Sequence, residues 1–242
     1  GQTVRHRPQE FDGCGYTVQL NNPSLLAELT GIDVVADFRS RDLSAGGQGA
    51  PLVPAFHQAV FGRPDAQVCV VNIGGISNLT VLAATGAQPQ QAASKPAVRG
   101  FDCGPGNALM DYWCLRHTGL AFDRDGAWGD TGTPDPALLA QLLTEPYLAR
   151  TPPKSTGRDL FNPDWLNQLL AQHGAAQPAS PADVQATLCE FTAAVCANDL
   201  LRAAPDSRWL IVCGGGARNG ALMRRLQARL PATRVEPADA HG

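Results

Sequence analysis

The sequence has no apolar run long enough to span a bilayer and no N-terminal stretch built like a signal peptide, so neither a membrane partner nor export is expected. Charge is scarce: Asp, Glu, Lys and Arg make up 17% of 242 residues, and the net charge is −3. The basic residues are scattered, without the stripe that a nucleic-acid partner requires. No Cys-x-x-Cys pair occurs among the seven cysteines, Cys14, Cys69, Cys103, Cys114, Cys189, Cys196 and Cys213. An odd number of thiols in apolar strand or helix contexts suits reduced, buried side chains in a cytoplasmic protein better than a disulfide framework or a zinc site. Asn78-Leu79-Thr80 then matches the glycosylation triplet by accident. A G-x-x-x-x-G-K-[ST] phosphate loop is missing; Lys154-Ser155-Thr156 has its tail but no preceding glycine or strand. Nor does Gly214-Gly215-Gly216 complete the spaced Rossmann fingerprint.

What is present is ordinary globular composition, 44% hydrophobic, in a chain long enough for one large domain or two modest ones. Residues 16–20 alternate like a half-exposed strand. Asn22-Pro23 predicts a helix start that Gly31 stops, and residues 32–38 read as a buried strand. The run Ser44-Ala45-Gly46-Gly47-Gln48-Gly49 marks the expected domain boundary, with 1–45 on one side and 46–242 on the other. Residues 68–73 and 79–82 predict a hairpin closed by a glycine turn, residues 87–97 a loop, and 98–101 a short strand. A helix follows from Ala108 to His117, capped by Gly119. Ser180 with Asp183 starts a long helix whose Val184, Leu188, Phe191 and Val195 share one face. Residues 209–213 form a buried strand that leads through three glycines into a helix carrying Leu222, Leu226 and Leu230. Hairpins mixed with strand–turn–helix units predict an α/β fold, a mixed sheet with flanking helices.

Three glycine-rich turns each follow a strand: 72–78, 102–107 and 213–219. Without a Cβ, such turns let backbone N–H groups approach an anion, and the second and third precede helix starts that favour negative charge. Their order, a hairpin turn, an Asp-bearing turn and a late Gly-Gly-Gly turn, resembles that of actin-like and sugar-kinase ATPases. Asp102, at a strand end among glycines and apolar residues, suits a general base. It equally suits a cap or brace for the turn and helix that follow.

Longer phrases carry a more specific resemblance: GQTVRHRP, NNPSLLAELTGIDVVADFRSRDLSAGGQGAPLVPAFH, VNIGGISNLTVL, RGFDCGPGNALMDYW, FDRDGAWGDTG, PPKSTGRDLFN and CGGGARNGALM. Over essentially the whole length the chain resembles the anhydro-N-acetylmuramic acid kinases of the acetate kinase–sugar kinase–Hsc70–actin superfamily. That resemblance implies a two-domain actin-like (ribonuclease H-like) fold. It also implies ATP-dependent opening of 1,6-anhydro-N-acetylmuramic acid to N-acetylmuramic acid 6-phosphate, in cytoplasmic peptidoglycan recycling. Asp102 would be the base acting on the attacking water. Asn72, Gly74, Gly75, Ser77 and Asn78 would form the second phosphate loop. Gly214, Gly215, Gly216 and Asn219 would lie on the adenosine side, with Gly104, Gly106 and Asn107 near phosphate and Mg2+. Arg39, Arg41 and Asp42, on the loop after the 34–38 strand, are the sugar-pocket candidates, joined by Gln2 and His6. A solvated charge cluster is the competing reading of Arg39, Arg41 and Asp42, and a structural hydrogen-bonding role that of His6. The partner is a small-molecule sugar, with a homodimer left open. Another sugar kinase of the superfamily and a non-catalytic actin-like ATP-binding module are the rival functions. The family's opening strand and first phosphate loop are expected before Gly1 and an acidic closing segment after Gly242, so both ends read as cuts. The 242 residues alone are expected to lack kinase activity, because phosphoryl transfer needs several loops at once.

Overall fold

The computed structural model describes residues 2–84, 86, 98–174 and 179–241; the loop expected over 87–97 lies outside them. Chain order begins with strands β1 (Gln2–Pro8) and β2 (Gly15–Leu20) and helices α1 (Pro23–Thr30), α2 (Phe38–Ser44) and α3 (Pro54–Phe61). Strands β3 (Val68–Ile73), β4 (Ile76–Leu82) and β5 (Val98–Pro105) follow. Next come helices α4 (Ala108–Thr118), α5 (Pro136–Leu142), α6 (Pro146–Ala149), α7 (Pro163–Gly174) and α8 (Pro181–Ala203). Strand β6 (Trp209–Cys213), helix α9 (Gly220–Arg229) and strand β7 (Arg234–Pro237) complete the order.

Local chemistry sets the helix ends as the sequence predicts. The Asn22 side chain accepts from Leu25 N–H at the start of α1, and Gly31 closes it in the left-handed region at φ 66°. Gly119 does the same for α4. Ser180 and Asp183 form a reciprocal capping box that starts α8.

Among the described residues the strands form two sheets. β1 and β2 make a separate antiparallel ribbon, and the larger sheet has the order β5-β4-β3-β6-β7. Within it β3, β4 and β5 are antiparallel neighbours, whereas β6 runs parallel to both β3 and β7. This is the expected mixed α/β sheet with flanking helices.

Side-chain alternation divides the two faces of that sheet. Cys69, Val71, Ile73, Leu79, Val81, Phe101, Cys103, Leu210 and Val212 face the main core, built with Leu188, Phe191 and Val195 of α8. Val68, Val70, Leu82 and Ile211 face the other way, in a smaller cluster joined by Phe61 of α3. On this second face the apolar run ends early, and the register carries it into Asn72, Asn78 and Asp102.

Several elements differ from expectation. The strand expected over 32–38 does not form: Ile32 and Val35 stay 67% and 78% exposed. Among the described residues no strand pairs with this run, and Asp37 turns left-handed at φ 66° to begin α2. Arg39, Arg41 and Asp42 therefore stand on a helix rather than a loop. β5 does not stop at Phe101 but continues to Pro105, since it stays paired with β4 as far as Ile76; Asp102 thus lies within a strand. Ser77 and Asn78 likewise belong to β4 rather than to the hairpin turn. The Gly-Gly-Gly turn leads first into a short 3-10 turn, Gly215–Arg218, and α9 begins only at Gly220. The Ser44–Gly49 run is tied down, because the Asp42 carboxylate accepts Gly49 N–H at 2.7 Å.

Candidate active site

The polar row formed by Asn72, Asn78 and Asp102 crosses three adjacent strands at one end of the sheet. Asn72 pairs with Asn78, and Asn78 with Asp102, so the three side chains stand on one face. They floor a cleft of about 460 Å3 whose walls include His6 of β1, Arg39 of α2, Gly75 and Arg158.

Asp102 is 5% exposed. Its N–H donates to the Lys154 carbonyl at 3.1 Å. Its Oδ2 accepts from the Ser155 hydroxyl and from Thr156 N–H, both at 3.0 Å. Its own carbonyl accepts from the Tyr147 hydroxyl at 2.8 Å. Burial pushes the carboxyl up to about 6, against the opposing pull of the Thr156 N–H, the Ser155 hydroxyl and the Arg39 and Lys154 charges. The helix-cap alternative fails, since the N-cap position of α4 is Asn107. Asp102 braces residues 154–156 and keeps an acid–base equilibrium near neutrality at the cleft floor.

His6 Nε2 meets the Ser155 hydroxyl at 2.9 Å and its Nδ1 meets Thr17 Oγ1 at 3.0 Å. Arg39 donates to the Gly49 carbonyl and faces the same cleft as Asp102. Arg41 is exposed and Asp42 is spent on Gly49, so neither lines that cleft. Gln2 begins β1 opposite Leu20.

The glycine turns pack against one another rather than standing open. N–H groups of Gly106, Asn107 and Ala108, available in principle to an anion at the α4 start, donate instead to the carbonyls of Gly74 and Gly75 at 2.7–3.2 Å. A Cβ on Gly106 would sit 2.2 Å from the Gly74 oxygen, and one on Gly216 would sit 2.5 Å from Ile73 Cβ. Gly214, at φ 78°, would bring a Cβ within 2.6 Å of Asn72 Oδ1. These glycines are required because three turns meet where side chains have no room. Ser77 is fully buried on the core face, its hydroxyl donating to the Gly104 carbonyl at 3.1 Å; Gly104 is buried beside it.

A second cavity, about 480 Å3, opens on the other side of the turn cluster. Asn107, Gly215 and Asn219 line it together with Met110, Phe122 and Arg218. The sequence-predicted residues thus fall into two groups. His6, Arg39, Asn72, Gly75, Asn78 and Asp102 share the first cleft; Asn107, Gly215 and Asn219 share the second cavity. Gly74, Ser77, Gly104, Gly106, Gly214 and Gly216 shape the partition between them.

Sequence reasoning overlooked the segment that holds Asp102. Lys154, Ser155 and Thr156 all bond to it or buttress it, and the Arg158 guanidinium lies 2.8 Å from where a Gly75 Cβ would stand. The available signal was the density of hydroxyls and cations in Lys-Ser-Thr-Gly-Arg, legible as polar but not as a partner of a strand 50 residues away. Lys154 is itself buried, its ammonium 3.0 Å from Asp199.

Known proteins share much of this sequence. The chain is 65% identical over 242 residues to an anhydro-N-acetylmuramic acid kinase from Variovorax paradoxus, covering all of this chain and 62% of that one. To the protein of the same description from Albidiferax ferrireducens it is 60% identical over 252 residues, covering all of this chain and 64% of the other. The chain therefore spans a little over three fifths of the length of these relatives. A solved activator of 2-hydroxyisocaproyl-CoA dehydratase from Clostridium difficile, with bound ADPNP, aligns at TM-score 0.46 and 15% identity over 78% of this chain and 59% of that one. The family profile described as anhydro-N-acetylmuramic acid kinase matches residues 1–242, and the chain belongs to that family.

Proposed function

We propose that these residues supply the base and most of the nucleotide side of a kinase that opens 1,6-anhydro-N-acetylmuramic acid and phosphorylates it. The observation that carries the reading is Asp102, a buried carboxyl held near pH 6 on the floor of a sugar-sized cleft. In this reading a water lies between Asp102 and the anomeric carbon. Asp102 takes its proton as the new C–O bond forms and the anhydro bridge breaks, and the released 6-oxygen takes the γ-phosphoryl group. Arg39, His6, Asn72 and Asn78 orient the sugar, and Arg158 offers a cation toward the transferring group.

The second cavity suits ATP. Met110 and Phe122 offer apolar wall for a base, Asn107 and Asn219 offer amides, and Arg218 a cation. The phosphates would run across the glycine partition toward Asp102. Asp111, Asp123 and Asp125 also line this cavity, and one or two of these carboxylates would hold a Mg2+ carried by the nucleotide phosphates. When bound, Mg2+ would neutralise charge developing on those phosphates.

An actin-like arrangement goes with this reading: residues 1–45 belong to one lobe, 46–242 to the other, and the sugar lies between them. The separate β1–β2 ribbon across the cleft from the five-stranded sheet supports it. Among the described residues no helix is long and apolar enough to cross a membrane; cytoplasmic location and a homodimer are tested by fractionation and sedimentation velocity.

Activity is measured with these 242 residues exchanged for the matching segment of the Variovorax relative, hereafter the full-length graft. ATP-dependent formation of N-acetylmuramic acid 6-phosphate is expected, with Asp102→Asn abolishing turnover and sparing ATP binding. A sugar panel in which only substrates without the anhydro bridge react would favour another sugar kinase. No turnover with any sugar would favour a binding module.

A further inference from the structure

Each turnover of the proposed reaction leaves a proton behind. The attacking water loses one O–H proton to Asp102, and neither ADP nor the phosphorylated sugar needs it near neutral pH. Asp102 must shed it before the next cycle, yet its open side faces the cleft that the sugar fills.

Behind Asp102 lies a continuous hydrogen-bonded chain. Oδ2 meets Ser155 Oγ at 3.0 Å, Ser155 Oγ meets His6 Nε2 at 2.9 Å, and His6 Nδ1 meets Thr17 Oγ1 at 3.0 Å. Ser155 and His6 also line a separate polar cleft of about 350 Å3, bordered by Arg7, Glu10, Glu145, Arg150 and Asp159. His6 lines both clefts, as do Thr156 and Asp159.

We propose that Ser155 and His6 form a proton exit, carrying the proton taken by Asp102 out to this second cleft while the sugar site is still occupied. The proposal rests on the kinase reading above. The protonated carboxyl gives its Oδ2 proton to Ser155 Oγ as the serine passes its own hydrogen to His6 Nε2. The imidazolium, bonded through Nδ1–H to Thr17, gives its Nε2 proton to water in the polar cleft and returns to a neutral imidazole that can accept again. Ser155 is left as a neutral hydroxyl donating to the restored carboxylate, and it turns back to His6 Nε2 when Asp102 is next protonated.

Burial acts on both ends of this chain, in opposite directions. His6 is held below its ordinary value of 6.5 by burial and then by Arg39 of α2, against the Gln48 carbonyl and Asp159, which raise it. Asp102 rises to about 6 by burial, with Thr156 N–H, Ser155, Arg39 and Lys154 opposing. Ser155 and His6 touch no reacting atom and act through Asp102.

The test uses the full-length graft, with a pH indicator in stopped flow to time proton release and a quenched assay to time ADP release. Unsubstituted protein is expected to release its proton ahead of ADP. Ser155→Ala keeps the Thr156 N–H bond to Asp102 but breaks the relay. It is expected to lower kcat by roughly tenfold or more, to leave both KM values within about twofold, and to delay proton release until products leave. Ser155→Thr, which keeps the hydroxyl, restores the early proton, and His6→Gln, which also alters the sugar KM, delays the proton in the same way should Ser155→Ala fold poorly. Early proton release persisting in both Ser155→Ala and His6→Gln overturns the proposal, as does a loss that Ser155→Thr leaves unrepaired. Absence of turnover in the unsubstituted graft refutes the kinase reading, and the exit with it.

Discussion

Replacing Asp102 by Asn should kill activity while making the fold more stable. The unfolded chain releases this proton at the ordinary value of 3.8 and the folded chain at about 6. With the folded value raised, the protonated side chain contributes stability that is fully present below about 3.8 and lost as pH rises through about 6. The difference, at about 1.4 kcal/mol for each tenfold change in proton affinity, comes to about 3 kcal/mol at pH 8. Asparagine never ionises, and its amide oxygen can still accept from Thr156 N–H and Ser155. Some of the gain goes to imperfect fit, so Asp102→Asn should stabilise by roughly 1–3 kcal/mol at pH 8, raising Tm by about 2–4 °C per kcal/mol. Urea unfolding of both proteins between about pH 8 and pH 4.5 checks this, and the advantage should shrink steadily toward acid. Equal stability at pH 8, or an advantage that grows as pH falls, would refute the placement of a desolvated carboxyl at this site. The same residue would then be an example of function held at a cost in stability.

Other outcomes follow from the same contacts. In the full-length graft, kcat/KM should fall with unit slope below about pH 6 as the base is protonated, measured by coupled ADP assay. Lys154→Met leaves Asp199, buried at 3% exposure, with Arg202 as its remaining cation at 2.7 Å. It should cost about 3–5 kcal/mol by urea unfolding, nearer the lower figure because Arg202 persists. Gly106→Ala forces a methyl onto the Gly74 carbonyl; it should cost roughly 1–3 kcal/mol and weaken ATP binding measured by calorimetry, because the partition between the cavities must shift.

The sequence by itself determined the helix ends, the α/β class and the family. Asn22, Gly31, Gly119 and the Ser180–Asp183 box act within a few residues of themselves, so their effect is written locally. The glycine turns and Asp102 were legible as well, since residues without Cβ beside a lone carboxylate stand out along a chain. Tertiary structure alone decided what those turns do. Their N–H groups looked open in sequence, and only packing showed that Gly74 and Gly75 carbonyls take those of Gly106, Asn107 and Ala108. Residues 32–38 are apolar enough for a strand, but a strand needs a ladder, and none of the described residues supplies one there. Asp102 itself owes its raised proton affinity to burial, a property of the assembled fold rather than of any stretch of sequence, and Thr156 N–H and Ser155, more than 50 positions away, hold that rise back.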